Sequence, residues 1–151
     1  MTTEPDTRDV CLAYASAATR EFTPGELAQI LAKAGSHNLQ AGITGMLLYT
    51  DGSFFQVLEG AEDVVHKLYD KIQVDPRHSQ AIKLIEEPIE KRAFSQWSMG
   101  FAKVTRSELA KIPGLNDFFG HGSSFYSLGE GRAKTLLAAF RDGRWRRRLN
   151  G

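Results

Sequence analysis

The sequence has one cysteine and no long hydrophobic run, and each lack excludes a class of protein. Cys11 is the single thiol among 151 residues, so an internal disulfide is impossible and a disulfide-stapled secreted fold is excluded. No apolar run approaches the roughly 20 residues that a transmembrane helix needs. An excess of either sign of charge is lacking too, because the net charge is +1 and gives no global attraction to nucleic acid or membrane. Residues 1–8 show no targeting pattern, and a cytoplasmic protein is expected.

The strongest local pattern is a β-hairpin over residues 42–60. Two runs rich in aliphatic and aromatic residues flank the Asp-Gly pair at 51–52, which is typical of two-residue turns between antiparallel strands. In the second strand Phe54, Gln56 and Leu58 would share one face. Gln56 is then a buried amide, and a buried amide needs partners for both its oxygen and its nitrogen.

The first third of the chain predicts a strand followed by a helix. Residues 10–16 alternate as a strand that places Tyr14 and Ser16 on one face, where Tyr14 alone is interpreted as a core tyrosine. Residues 23–26, Thr-Pro-Gly-Glu, predict a helix start with a capping box. The helix is expected to fray near Asn38, for which a left-handed cap is the favoured interpretation.

The pattern continues with a second helix at 61–74, a fourth strand at 81–85 and a fifth strand at 96–104. This order predicts an α+β fold of the ferredoxin-like βαββαβ type with an extra strand, so that the mixed sheet has five strands. Two helices would cover one face of the sheet and leave a cleft between them that suits a flat ligand.

The character of the sequence changes after residue 104. Short helical patterns at 107–112 and 131–141 predict two C-terminal helices, and a basic tail with one tryptophan follows. A solvated tail is favoured, and binding to nucleic acid stays an alternative. The expected parts are a flexible arm at 1–8, a sheet domain at 9–104, a helical extension at 105–142 and the basic tail at 143–151.

Six segments together resemble the BLUF family, which comprises blue-light sensors that use FAD. They are Tyr14-Ala15-Ser16, Ser36-His37-Asn38, and residues 42–49, 52–60, 75–78 and 91–99. Their spacing matches across about residues 10–104. The resemblance implies that residues 9–104 are a flavin-binding domain and that the chain is a short, stand-alone member of the family.

The resemblance also implies where FAD binds, namely between the two helices above the sheet. Asn38 matches the asparagine that bonds the carbonyl and imide edge of the flavin ring, and Gln56 matches the glutamine between a tyrosine and the flavin. Arg77 and His78 match a loop near the ribityl and phosphate end. The other expected cofactor contacts are Ile30, His37, Val65 and Leu68.

The photochemical switch that the resemblance implies consists of Tyr14, Gln56, Trp97, Met99 and Ser16. Blue light makes the flavin a stronger oxidant, Tyr14 gives up an electron, and its proton follows through Gln56. Gln56 is left rotated or tautomerised, and a stronger hydrogen bond to the flavin shifts the spectrum to the red. Trp97 and Met99 then pass the change along the fifth strand to the C-terminal helices.

The expected function is therefore a blue-light photoreceptor that signals to a separate protein and is not an enzyme. A homodimer or higher homo-oligomer is expected, with neither membrane nor nucleic acid as a partner. Two alternatives share the fold: an acylphosphatase-type enzyme, for which residues 17–20 make a poor anion loop, and an RNA-binding module, which Phe54 and Phe55 on opposite faces disfavour. Candidates for a partner surface are Leu115, Phe118, Phe119 and Phe125.

Overall fold

The computed structural model describes residues 8–17, 23–50, 52–75, 81–95, 98–115, 118, 125 and 128–141. Its elements are β1 (Asp9–Ala17), α1 (Pro24–Ala41), β2 (Thr44–Thr50), β3 (Ser53–Ala61), α2 (Glu62–Gln73), β4 (Ile82–Pro88), β5 (Gly100–Lys103), α3 (Arg106–Ala110) and α4 (Gly129–Arg141). Outside the described residues lie Arg77, His78, Trp97, Phe119, the tail at 143–151 and all of the arm except Arg8.

The five strands form one mixed sheet in the order β4-β1-β3-β2-β5. β1 pairs antiparallel with β3 and with β4, β2 pairs antiparallel with β3, and β5 pairs parallel with β2. The predicted hairpin is present, since Thr50 pairs with Ser53 across a turn in which Gly52 has φ 77°. The ferredoxin-like α+β arrangement with an added fifth strand is thus confirmed.

Alternation along the strands divides the core into two layers. One layer joins α1 and α2 to the sheet face that carries Leu12, Tyr14 and Leu58. The other joins α3 and α4 to the face that carries Cys11, Ala13, Phe55 and Val57. A ligand held by α1 and α2 would therefore lie across the sheet from the C-terminal helices.

The core layer of α3 and α4 buries two residues that were candidates for a partner surface. Leu115 and Phe125 have no exposed area, and Phe118 packs against the same apolar cluster. Phe125 also contacts Phe55 of β3, with ring centroids 5.8 Å apart. The expectation of an exposed apolar surface is therefore wrong for Leu115 and Phe125, because both stabilise the packing of the extension on the sheet.

The start of α1 agrees with the sequence prediction and its end does not. Thr23 and Glu26 form both bonds of a capping box, at 3.2 and 3.0 Å. The helix continues past Asn38 to Ala41, and the left-handed cap is Gly42 with φ 73°. The interpretation of Asn38 as a cap is wrong, because glycine takes a positive φ without steric cost and Asn38 is held by packing inside the last turn.

The fifth strand is shorter than the predicted 96–104, since the ladder with β2 begins at Gly100 and ends at Lys103. The chain just before it is engaged elsewhere, because the amide of Asn38 donates to the Ser98 carbonyl at 2.8 Å. Met99 therefore lies immediately before the strand and not within it. Its side chain belongs to the core layer of α1 and α2, as does that of Phe101 within the strand.

Candidate functional site

A cavity of about 330 Å³ lies between α1, α2 and the sheet, where the order of the elements predicts a cleft. Its apolar walls come from both helices and from the strands: Ile30, Leu31, Ala34, Leu47, Phe54, Leu68, Ile72 and Met99. Its polar lining consists of Tyr14, Lys33, His37, Asn38, Gln56, Lys71 and Asp75. Apolar walls with a few convergent polar groups are typical of cofactor sites.

Gln56 lies at the inner wall of this cavity with both ends of its amide engaged. Its Oε1 accepts a hydrogen bond from the Tyr14 hydroxyl, and its Nε2 donates to Met99 Sδ at 3.3 Å. The sheet register explains the first contact, because Tyr14 of β1 lies directly opposite Gln56 of β3. Tyr14 is 1% exposed and Gln56 7% exposed, so solvent competes little for these bonds. The side chains form a buried chain from phenol to amide to thioether.

Asn38 lies at the same wall and is 1% exposed. The bond from its Nδ2 to the Ser98 carbonyl ties the last turn of α1 to the segment that carries Met99. Gly35, one turn earlier, permits this close approach, since a Cβ there would lie 3.3 Å from Ser98 Oγ. Asn38 thus holds in place the segment that carries Met99, the side chain to which Gln56 donates.

The cavity mouth carries more cationic groups than the sequence analysis identified. Lys33 and His37 lie one turn apart on α1, and Lys71 faces them from α2, with Asp75 nearby. His37 was predicted as a cofactor contact, whereas the two lysines were not. The i, i+4 spacing of Lys33 and His37 was the available signal, but exposed lysines at that spacing are common on solvated helix faces.

Three predicted cofactor contacts and one predicted switch residue, Ser16, differ in their relation to the cavity. Ile30 and Leu68 are in its walls. Val65 does not line it, contrary to the expectation, because Val65 and Tyr69 face the sheet while Leu68 and Ile72 face the cavity. Ser16 is fully buried opposite Phe54 in the β1–β3 ladder.

Tyr69 is a second buried phenol close to Tyr14, with ring centroids 5.5 Å apart and tilted by 56°. Burial raises the pKa of Tyr69 above its usual value. Its hydroxyl donates to the Ala81 carbonyl and accepts from Gln73, both at 3.4 Å. The two tyrosines therefore share a ring contact but direct their hydroxyl groups to different partners.

The geometry defines a ferredoxin-like domain with a ligand cavity whose inner wall is a hydrogen-bonded tyrosine–glutamine pair. A family model described as BLUF, sensors of blue-light using FAD, matches residues 10–100. The chain belongs to this family of flavin-binding blue-light photoreceptors. In the described part of the chain, no helix has the length and apolar character needed to cross a membrane.

Individual relatives agree with this assignment. The photoactivated adenylate cyclase subunit beta of Euglena longa is 40% identical over 119 residues, which are 78% of this chain and 14% of that protein. The ground-state structure of BlsA gives a TM-score of 0.75 at 31% identity, over 88% of this chain and 87% of that one. The dark-state structure of BlrB gives 0.66 at 30% identity, over 88% and 98%. They do not favour the acylphosphatase or RNA-binding alternative.

Proposed function

We propose that this chain binds FAD between α1 and α2 and converts blue light into a rearrangement around Gln56, without catalytic activity of its own. The observation that carries the proposal is the buried chain of hydrogen bonds from Tyr14 through Gln56 to Met99. These three side chains line the cavity, so that a ligand in the cavity would contact the Gln56 amide directly. The proposed location is the cytoplasm, which suits the free thiol of Cys11.

The residues present suit a flavin ring. The walls are aliphatic and aromatic, and Asn38 and Gln56 supply amide groups at one side of the cavity. An amide offers both a donor and an acceptor, which matches a ring edge that alternates carbonyl and imide groups. The volume of about 330 Å³ is at the lower end for ligand cavities, and it suits the ring system with the rest of the cofactor extending to the mouth.

The mouth favours the dinucleotide FAD over riboflavin, which has no phosphate. The two lysines, Lys33 and Lys71, outnumber the one carboxylate of Asp75, and His37 lines the same cavity. Cations at this position would pair with a pyrophosphate. Arg77 and His78 are proposed to extend the same cationic region.

We expect the double variant Lys33→Gln with Lys71→Gln to bind FAD about three- to tenfold more weakly, since each exposed ion pair contributes less than about 1 kcal/mol. Binding of riboflavin should be unchanged, because it lacks the phosphates that the lysines would contact. Titration of the apoprotein with each flavin measures both affinities.

Lys67→Gln is the matched control, because Lys67 is an exposed lysine of α2 that is absent from the cavity lining. It should leave both affinities unchanged. Equal losses of affinity for FAD and riboflavin in the double variant would show that the lysines maintain the cavity and do not pair with the phosphates.

A bound flavin absorbs blue light and becomes a stronger oxidant when excited. The chain's contribution is to arrange Tyr14 so that an electron and a proton leave it together. Loss of an electron makes the phenolic proton strongly acidic, and the Tyr14 hydroxyl already donates this proton in a hydrogen bond to Gln56 Oε1. Burial of both groups excludes water as a competing proton acceptor.

Gln56 then provides the switch, because its two amide ends are similar in shape and opposite in hydrogen-bonding sense. In the described state Nε2 donates to the thioether of Met99, which is a weak acceptor. A rotated amide would place an oxygen against this sulfur, and a thioether has no proton to donate. Met99 is therefore expected to move when Gln56 changes, and β5 begins at the next residue.

The output is proposed to pass to a separate protein or to a second copy of this chain. The chain spans about 14% of the length of the cyclase subunit that it matches. That relative is named as photoactivated, which supports a role for the shared region in light control. For this chain the proposed route runs from Met99 along β5 to α3, which follows within three residues.

An absorption spectrum of the purified protein in darkness and just after blue illumination tests the proposed function. Flavin bands should be present, move slightly to the red, and return in darkness. Bands that do not move would contradict the Gln56 switch. A preparation without flavin bands, even after FAD is added, would contradict cofactor binding itself.

A further inference from the structure

Glu59 is a fully buried carboxylate at the end of β3, across the sheet from the cavity. Three donors contact it: Thr44 Oγ1 at 3.0 Å and the Phe94 backbone N–H at 3.0 Å on Oε1, and the Ala93 backbone N–H at 2.7 Å on Oε2. The oxygen atoms of a buried carboxyl group need such hydrogen bonds in place of those that water would supply. Two of the three come from a segment about 35 residues further along the chain.

The chain between β4 and β5 is attached to the sheet at several points before it reaches Met99. Ile89 N–H donates to the Asp9 carbonyl at 3.0 Å. The Arg92 guanidinium contacts the Asp9 carboxylate at 2.9 Å and the Gly42 carbonyl at 2.7 Å. Glu59 then holds residues 93–94. Asn38 holds the Ser98 carbonyl, directly before Met99.

Strand β3 therefore contacts this segment at both ends. Glu59 holds residues 93–94 from one face of the sheet, and Gln56, three residues earlier on the strand, contacts Met99 from the other. Side chains three apart on a strand point to opposite faces, which explains how one strand reaches both places. Phe94, between them, is fully buried in the cluster that includes α3 and α4.

From this arrangement we infer that Glu59 is a positioning residue of the light switch, an inference that rests on the proposed function. It fixes residues 93–94, so that the chain leading to Met99 is anchored five residues before the contact of Met99 with Gln56. Glu59 thereby sets how Met99 lies against Gln56 and how fast that contact re-forms after illumination. It does so without touching the cavity, whose lining does not include it.

The test is Glu59→Gln, which keeps the shape and places an amide nitrogen where one acceptor oxygen lay. A nitrogen donor would then face a backbone N–H. We expect the dark flavin spectrum to stay unchanged and the red-shifted state to decay about fivefold faster, which corresponds to about 1 kcal/mol, the size of one hydrogen bond. Time-resolved absorption after a blue pulse measures the decay.

Thr44→Val is the matched control, because it removes the third bond to Glu59 and leaves residues 93–94 attached. It should decay at the wild-type rate even if its melting temperature falls as far as that of Glu59→Gln. A wild-type decay rate in Glu59→Gln, with a lowered melting temperature, would show that Glu59 is merely structural and would overturn the inference.

A second readout in darkness does not depend on photochemistry. With methyl-labelled methionine, Glu59→Gln should shift or broaden the resonance of the Met99 methyl group, which lies in the core layer opposite Glu59, whereas Thr44→Val should leave that resonance in place. An unchanged Met99 resonance would contradict the inference even if the wild-type protein showed no light response. Glu59→Asp, which keeps the charge and shortens the side chain, should act in the same direction if Glu59→Gln fails to fold.

Discussion

Gln56→Leu should retain its flavin and lose the light-induced red shift completely. Leucine fills the cavity wall with a similar volume, so the dark protein should fold and bind. It has neither an acceptor for the Tyr14 hydroxyl nor a donor for Met99 Sδ, which are the two bonds that Gln56 makes in the described state. Leucine has no amide whose donor and acceptor ends could exchange, so no hydrogen-bond rearrangement can follow illumination. Difference absorption spectra before and after blue light measure the effect.

The control for this variant is Phe54→Leu, which changes the same cavity wall two residues earlier on β3. It should keep a red shift of nearly wild-type size, because the Tyr14–Gln56 pair is untouched. A full, reversible shift in Gln56→Leu would overturn the role of the amide. Loss of the shift in both variants would instead indicate that the wall as a whole positions the flavin.

The features that the sequence predicted best depend on local patterns. Alternation between residues 53 and 61 placed Gln56 on a buried face, and the strand is buried along this length apart from its last residue. The Asp-Gly pair predicted the hairpin, and the turn glycine has the positive φ that the pattern requires. Thr23 and Glu26 predicted the start of α1, and this pattern is local too because a capping box lies within four residues.

The features that it missed depend on distant contacts. Asparagine is typical of helix ends, yet α1 continues past Asn38 because the Asn38 side chain is buried against Ser98, sixty residues later. Val65 belongs to a stripe that fits either the sheet or the cavity, and helix rotation decides between them. No sequence pattern indicates the role of Glu59, because two of its three donors are backbone N–H groups of residues 93–94, and every residue except proline has one.

Removal of the Tyr14 hydroxyl is the second change expected to abolish the response. Tyr14→Phe should bind flavin, since the ring and its burial are kept, and should show no reversible red shift. The variant lacks the hydroxyl proton that Tyr14 donates to Gln56 Oε1. An electron taken from another side chain would not be followed by a proton at this amide, so Gln56 would not change. Flavin fluorescence should rise, because a quenching route has been lost.

Tyr69→Phe is the control that separates the two phenols. Tyr69 lies 5.5 Å from Tyr14, so it is close enough to act as an alternative electron donor. Its hydroxyl, however, donates to the Ala81 carbonyl and not to Gln56. The variant should therefore keep the red shift at nearly full size. An intact photocycle in Tyr14→Phe together with a lost one in Tyr69→Phe would assign the role of electron donor to Tyr69. It would also show that the proton that reaches Gln56 need not come from the Tyr14 hydroxyl.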